Sequence, residues 1–203
     1  MSPAGEEDSS VHPRIAVPAD LDRVVATLWS AFDNDPLWTW AFPDAHKLDV
    51  WWRFLVQNAL RHQGIWVAGD FEAVSVWISP GEKELTEADE TRVEPLLEEL
   101  LGSRAKEVIE LLERFEESHP KDVPPHYYLS LLGTHTDYRG RGVGMRLLAE
   151  NLARIDELKM PAYLESSSPA NEARYERVGF ERIGSFATPD GSRKVAMMWR
   201  DPR

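Results

Sequence analysis

The chain has 203 residues, 42% of them hydrophobic, which suits one α/β domain with a sizeable core. Its 35 acidic side chains outnumber 23 basic ones, and the net charge of −12 disfavours nucleic acid and membrane partners while mildly favouring a cationic one such as an amine. The absence of cysteine excludes disulfides, a thiol nucleophile and thiolate metal sites, and with no apolar run near the ~18 residues of a membrane span and no signal-peptide pattern at Met1–Asp8, a cytoplasmic protein is expected.

Residues 1–11 are polar and read as a disordered tail, followed by one domain over 12–203. Arg14 to Val17 reads as a strand, and Asp20 to Phe32 as a helix with Leu21, Val24, Val25 and Leu28 on one face. Asp33 to Asp44, with Pro36, Trp38, Trp40, Phe42 and Pro43, reads as a turn-rich loop. Lys47 to Arg61 follows as a helix carrying Trp51, Trp52, Phe54 and Leu55. Ile65 to Ala68 and Ala73 to Ile78 pair as a hairpin, which Pro80-Gly81 ends.

An insertion at about 82–118 comes next. Val93, Leu96, Leu97, Leu100 and Leu101 keep helical spacing, as do Val108, Leu111, Leu112 and Phe115, so two amphipathic helices broken at Gly102-Ser103 are expected. Glu82 to Glu117 holds thirteen acids and five bases, so −8 of the net −12 lies here. That charge reads as the solvated face of core-packing helices, or as a lid over a pocket or an oligomer surface.

The most informative stretch runs from Tyr127 to Leu152. Tyr127 to Leu132 is apolar and reads as a buried strand, while Leu148, Leu152 and Ile155 keep helical spacing. Between them Arg139-Gly140-Arg141-Gly142-Val143-Gly144 forms a glycine-dense turn into a helix N-terminus, which aims several backbone N–H groups and the positive end of the helix dipole at one spot. That is an anion site suited to phosphates. No Gly-Lys-Ser/Thr run is present, and a dinucleotide fingerprint starting at Gly140 fails at Met145. A second short strand, Ala162 to Ser166, is followed by a helix with Ser168 as N-cap, Pro169 at its first position and Gly179 at its C-terminal end. Asn171 and Tyr175, four apart, share one face of that helix. Phe180–Phe186 and Lys194–Trp199 close the chain as a hairpin across Pro189-Asp190-Gly191.

The R-x-x-G-x-G run of Arg139, Gly142 and Gly144 after a strand, and the N-x-x-x-Y-x-x-x-G-F run from Asn171 to Phe180, resemble the signatures of the GNAT superfamily of acyl-CoA-dependent N-acyltransferases. From about Arg14 to Pro202 the chain is similar to puromycin N-acetyltransferase and its relatives, with matches at Val74–Trp77, His119–Lys121, Leu132-Gly133 and Tyr163–Ser167, and only a general pattern from Phe32 to Asp44. The resemblance implies an α/β (α+β) fold: a central mixed, twisted sheet of six to seven strands flanked by helices, with the two-helix insertion. It implies acetyl-CoA as co-substrate, no metal, and transfer of acetyl to a primary amine of a small molecule, antibiotic-like or aromatic, by direct attack on the thioester. Acetylation of a protein or peptide amine, and a non-catalytic acyl-CoA-binding regulator, stand as alternatives. A monomer or homodimer is compatible with the sequence.

Carried over residue by residue, the resemblance gives the acetyl-CoA site to Leu132, Gly133, Thr134, Arg139, Gly140, Arg141, Gly142, Val143, Gly144 and Asn171. Gly133 interrupts a strand and marks either a bulge or a place where the pantetheine arm pairs like an extra strand, with a backbone N–H near Leu132 facing the thioester carbonyl. Tyr175 would protonate the departing thiolate, or else fill the core beside Phe180. An alkyl ammonium needs a base, and Glu165 at the C-terminal end of its strand is the candidate, directly or through water. His126 is the reserve, and His135 is read as structural. Phe32, Trp38 and Trp40, with Trp51 and Trp52, could line an acceptor pocket or pack the core.

Overall fold

A computed structural model describes residues 12–203, and the expected tail at 1–11 lies outside them. Seven strands form one sheet: β1 (Arg14–Ile15), β2 (Ile65–Ala68), β3 (Ala73–Ile78), β4 (Tyr127–Thr134), β5 (Ala162–Ser166), β6 (Glu181–Ala187) and β7 (Lys194–Arg200). Their order is β1-β2-β3-β4-β5-β7-β6, parallel only between β4 and β5. The helices are α1 (Leu21–Phe32), α2 (Pro36–Ala41), α3 (Ala45–Ala59), α4 (Glu87–Leu101), α5 (Ala105–Ser118), α6 (Val143–Glu157) and α7 (Pro169–Arg177). Among the described residues no helix is long and apolar enough to cross a membrane.

The sheet has a core on each face. Val24, Val25 and Leu28 of α1, Leu37 of α2, Trp51 and Trp52 of α3, and Leu97, Val108 and Leu111 of the insertion pack with Val74, Val76 and Leu131. Leu148, Leu152 and Ile155 of α6, with Tyr175 and Phe180, pack with Trp77, Leu129, Leu164 and Met198 on the other face. The two expected helices of the insertion are present, their apolar stripes turned inward and most of their acids left outside.

One expectation needs correction within 33–44. This segment is not loop throughout, because residues 36–41 form α2. Asp35 caps it, its Oδ1 accepting from the N–H groups of Leu37 at 2.9 Å and Trp38 at 3.1 Å, and Pro36 takes the first helical position, where its missing N–H costs nothing.

The middle of the sheet opens. β4 pairs with β5 only at Tyr127–Ala162, Tyr128–Tyr163 and Leu129–Leu164, after which the two strands separate. On its other edge β4 pairs with β3 along its length, with one irregularity: Val76 lies opposite Leu131 and Trp77 opposite Leu129, so Ser130 is an extra residue. This bulge reverses the side-chain alternation, and Leu129 and Leu131, two apart, enter opposite cores. Gly133 is regularly paired with Val74 and is not the bulge. A Cβ there would lie 2.8 Å from Cβ of Ala31 and 3.2 Å from Cδ2 of Leu28, so the glycine lets α1 lie close against β4.

At the other end of the sheet, the Arg200 guanidinium donates to both carboxylate oxygens of Asp156 on α6 at 2.7 Å, and its Nε donates to the Val178 carbonyl at 2.9 Å. The guanidinium beside it holds the Asp156 carboxyl below its ordinary range. This pair fastens β7 to the C-terminal turn of α6 and to the end of α7.

Candidate active site

The glycine-dense turn behaves as its composition demands. Gly140 and Gly142 adopt φ of 78° and 74°, the left-handed region, and Gly142 is the N-cap of α6. Among the described residues, none of the backbone N–H groups from Gly140 to Met145 meets a protein acceptor in hydrogen-bond geometry. A Cβ on Gly144 would come within 2.3 Å of the Thr134 Oγ1, so that glycine seats the first turn of α6 against the end of β4. These unpaired donors at the start of a 15-residue helix fit a bound diphosphate. Arg141 lies over the Tyr138 ring at 5.2 Å, and Arg146 donates to the Arg141 carbonyl at 2.7 Å. The Arg139 side chain turns away from the loop and donates to the carbonyl of Ala31 at 2.7 Å, at the C-terminal end of α1.

The opening between β4 and β5 presents backbone groups as well. The His135 N–H bonds to the Glu72 carbonyl across the β3 edge. Alternation along an antiparallel ladder then turns the N–H groups of Leu131 and Gly133 toward β3, and those of Leu132 and Thr134 toward the opening.

A cavity of about 920 Å³ is continuous with this opening. Phe32, Leu55, Ile109, Leu112 and Phe115 supply apolar wall, and Tyr175, Asn171, Ser130, Leu132 and Glu165 line it beside the splayed strands. Tyr175 is buried and edges onto Phe180, and its hydroxyl makes no hydrogen bond to a described residue. Burial pushes the phenol up to about 12. Asn171 carries the Arg174 guanidinium on its Oδ1 at 2.6 Å. Capping of α7 falls to Ser168, as expected from the sequence.

Glu165 also lines the cavity. Burial pushes its carboxyl up to about 7, opposed by the nearby hydroxyls of Tyr163 and Tyr128 and reinforced by the Glu84 carboxylate. Its Oε1 and the Tyr163 hydroxyl are buried yet stop short of any hydrogen bond. Glu84, from the segment between β3 and α4, was not singled out by the sequence. It sits deep, with its own carboxyl raised by burial, and accepts a hydrogen bond on Oε1 from the Ser130 hydroxyl. The bulge at Ser130 is what aims that hydroxyl into the cavity, a feature without a local sequence signal.

His126 lies at the cavity rim with its Nε2 3.0 Å from the Nε2 of His119, and its Nδ1 is 3.0 Å from the Pro124 carbonyl. Because that carbonyl can only accept, Nδ1 carries the proton, and the one lone pair of a neutral His126 is directed at His119. His119 is held down to about 4 by burial and by His126. His135 accepts from the Asp137 N–H at 3.3 Å and meets the Tyr138 ring edge-on, away from the cavity.

Of the aromatics expected near an acceptor, Phe32, Trp38 and Trp51 line the cavity. Trp40 does not: its Nε1 donates to Asp190 at 2.9 Å, and its ring lies under the Arg104 guanidinium. Trp52 is core, packed edge-on to Trp38 at 4.6 Å. Ser167 donates to Asp35 Oδ2 at 2.5 Å, which ties the start of α2 to the end of β5.

Residues 116–200 match the family profile described as an acetyltransferase (GNAT) domain. An uncharacterized N-acetyltransferase of Schizosaccharomyces pombe is 24% identical over 198 residues, covering 90% of this chain and 80% of that protein. The Corynebacterium glutamicum structure described as "histone acetyltransferase HPA2 and related acetyltransferase" is 26% identical with a TM-score of 0.69, covering 94% of this chain and 96% of that one. A Drosophila melanogaster polyamine N-acetyltransferase that forms N-acetylagmatine superposes with a TM-score of 0.67 at 18% identity, covering 93% and 98% of the two chains. An arylalkylamine N-acetyltransferase of Aedes aegypti gives 0.66 at 15% identity, with 94% and 98% covered.

Proposed function

We propose that this chain, an acetyltransferase carrying a GNAT domain, transfers the acetyl group of acetyl-CoA to the primary amine of a small molecule. The observation that carries the reading is the joining of two sites by one opening. The unpaired N–H groups of Gly140 to Met145 suit the diphosphate, and the gap between β4 and β5 leads from there to a cavity holding Tyr175 and Glu165.

In this reading Leu132, Gly133 and Thr134 border the pantetheine arm, and the Leu132 N–H faces the thioester oxygen. A donor placed where negative charge develops contributes roughly 3 kcal/mol of transition-state stabilisation. Glu165 accepts a proton from the acceptor ammonium, and the amine nitrogen that results attacks the carbonyl carbon. As the carbon–sulfur bond breaks, the Tyr175 hydroxyl gives its proton to the leaving thiolate, and the resulting phenolate takes the second proton of the attacking nitrogen, leaving a neutral amide, free CoA thiol and Tyr175 in its starting form. Burial raises the phenol, and it raises a thiol leaving into the same surroundings, so the two stay closer than the phenol alone suggests. His126, whose lone pair meets His119, is left to shape the rim. The functions of Arg139, Arg141 and Asn171 in this reading are to fix the loop and the start of α7 around the donor.

The cavity is walled by α3, α4, α5 and the segment before α4, which suits a small acceptor better than a protein tail lying in an open groove. The free hydroxyl of Tyr175 and the unpaired carboxylate oxygen of Glu165 argue for a catalyst over a mere acyl-CoA-binding regulator. The motif likeness to puromycin N-acetyltransferase belongs to this proposal, as does an aromatic acceptor against Phe32 and Trp38. The test is release of free CoA thiol from acetyl-CoA across a panel of primary amines. Thiol release dependent on an amine supports the reading, and acetyl-CoA binding without release by any small amine overturns it.

A further inference from the structure

The charge inside the cavity goes beyond what one ammonium requires. Glu84 and Glu165 line its deep part. Among the described residues, neither carboxylate forms an ion pair. Glu165 Oε1 is buried and just outside hydrogen-bond geometry, beside the Tyr163 hydroxyl, which is likewise outside it. Glu113 and Glu116 of α5 line the same cavity, exposed and, among the described residues, outside every ion pair, whereas neighbouring Glu90 is taken at 3.1 Å by Lys83, a lining residue whose ammonium also feels the Glu116 charge. Helix α5 also contributes Ile109, Leu112 and Phe115 to the lining, and α1 contributes Phe32. The cavity lining therefore combines two half-buried carboxylates, two exposed ones and an apolar surface from α5 and α1.

We infer that the acceptor is a diamine-type dication with an apolar spacer, its reacting ammonium seated between Glu165 and Glu84 and its second cation held at Glu113 and Glu116. This rests on the acetyl-transfer reading for the identity of the reacting end, and on the cavity alone for the second. A buried carboxylate pair without a cation is costly, and an ammonium placed between them offsets that cost. The apolar surface rejects water from the spacer, and the exposed carboxylates add a weaker, salt-sensitive attraction. Glu84 acts here as a second carboxylate for the reacting ammonium, positioned by the Ser130 hydroxyl.

The experiment is calorimetric titration of the CoA-saturated protein with a series of α,ω-diamines and with the alkylamine of equal length for each. At least one diamine is expected to bind about tenfold more tightly than its alkylamine, the effect of one added, partly desolvated charge pair. The double variant Glu113→Gln with Glu116→Gln changes only exposed side chains and should remove that advantage, weakening the diamines about tenfold more than the alkylamines. Glu84→Gln should weaken both classes. Equal affinities in the wild type, tighter binding of an arylalkyl monoamine than of every diamine, or an advantage that survives the double variant would each overturn the inference. Thiol release is followed in parallel. Diamine preference without any release leaves this inference standing and removes the transfer reading, while release with equal affinities does the reverse.

Discussion

At the scale of single residues, the two groups that would move protons are both displaced by burial, and each displacement has a measurable consequence. Tyr175→Phe removes only a hydroxyl that makes no hydrogen bond to a described residue. Acetyl-CoA affinity should stay constant while kcat falls by about 10²–10⁴, the span of a lost general acid. Pre-steady-state thiol release checks this, and an unchanged rate of the chemical step would return Tyr175 to the core. For Glu165, with its carboxyl at about 7, kcat/KM should rise with pH through that value as the base form is populated. Glu165→Gln should lose most of its activity at neutral pH and regain part of it at higher pH, where more of the amine is already neutral. The same group makes a stability statement of opposite sign. Its folded value is raised above the unfolded one near 4.5, so its favourable contribution is complete below about 4.5 and is lost as pH climbs through about 7. Glu165→Gln should therefore be more stable than wild type at pH above 7, by on the order of 1–3 kcal/mol, and equal to it in acid. Denaturant melts at the two pH values read this directly, and a variant destabilised at both would mean the carboxylate is held by contacts that offset its burial. Tyr175 stood out in the sequence because it belongs to a motif, and Glu165 because it stands at the C-terminal end of a strand. Glu84 did not, since it sits in an acid-rich stretch where every carboxylate looks solvated, and only the bulge at Ser130 brings a hydroxyl to it.

At the scale of elements, glycines that look alike in the sequence separate into two kinds. Gly142 has φ of 74° and open space but for Arg146 Nη1 at 3.3 Å, so it serves the turn itself. Gly133 has an ordinary strand conformation and serves the contact with α1. Gly142→Val should leave a folded protein that no longer binds acetyl-CoA, because a branched side chain is strained at positive φ and stands among the N–H donors. Gly133→Ala should instead lower stability by about 1–3 kcal/mol through overpacking against Ala31 and Leu28, with the loop intact. Calorimetry and thermal melts on the two variants distinguish these, and a reversal of the two outcomes would exchange their roles. Strand and helix order from β2 to β7 could be read in advance, because period and turn chemistry agree along that whole stretch. Helix α2 could not, since six residues crowded with tryptophan and proline carry no period. Its Asp35-Pro36 start was nonetheless a capping signal in plain sight. The separation of β4 from β5 is likewise invisible in the chain, for it arises from where pairing stops and not from any residue that forbids it.

At the scale of the whole molecule, the net charge of −12 acts on the two substrates in opposite senses. Eight of those charges lie in the insertion that builds the cavity rim, so the field is strongest where the acceptor enters. A cationic amine is drawn toward that rim, and its local concentration falls as salt shortens the Debye length from ~30 Å at 0.01 M to ~8 Å at 0.15 M. Acetyl-CoA carries phosphates and must approach the same acidic protein, which only the arginines and N–H groups near Gly142 make locally favourable. Raising ionic strength across that range should therefore increase KM for the amine several-fold while leaving KM for acetyl-CoA constant or lower. Steady-state kinetics with one substrate saturating and the other varied separates the two. Charge-neutralising substitutions on the outer faces of α4 and α5, away from the cavity, should reproduce part of the salt effect on the amine without touching kcat. If both KM values rose together, the field would act through the fold instead of through the approach of each substrate, and the insertion would be a packed pair of helices whose charge serves solubility alone.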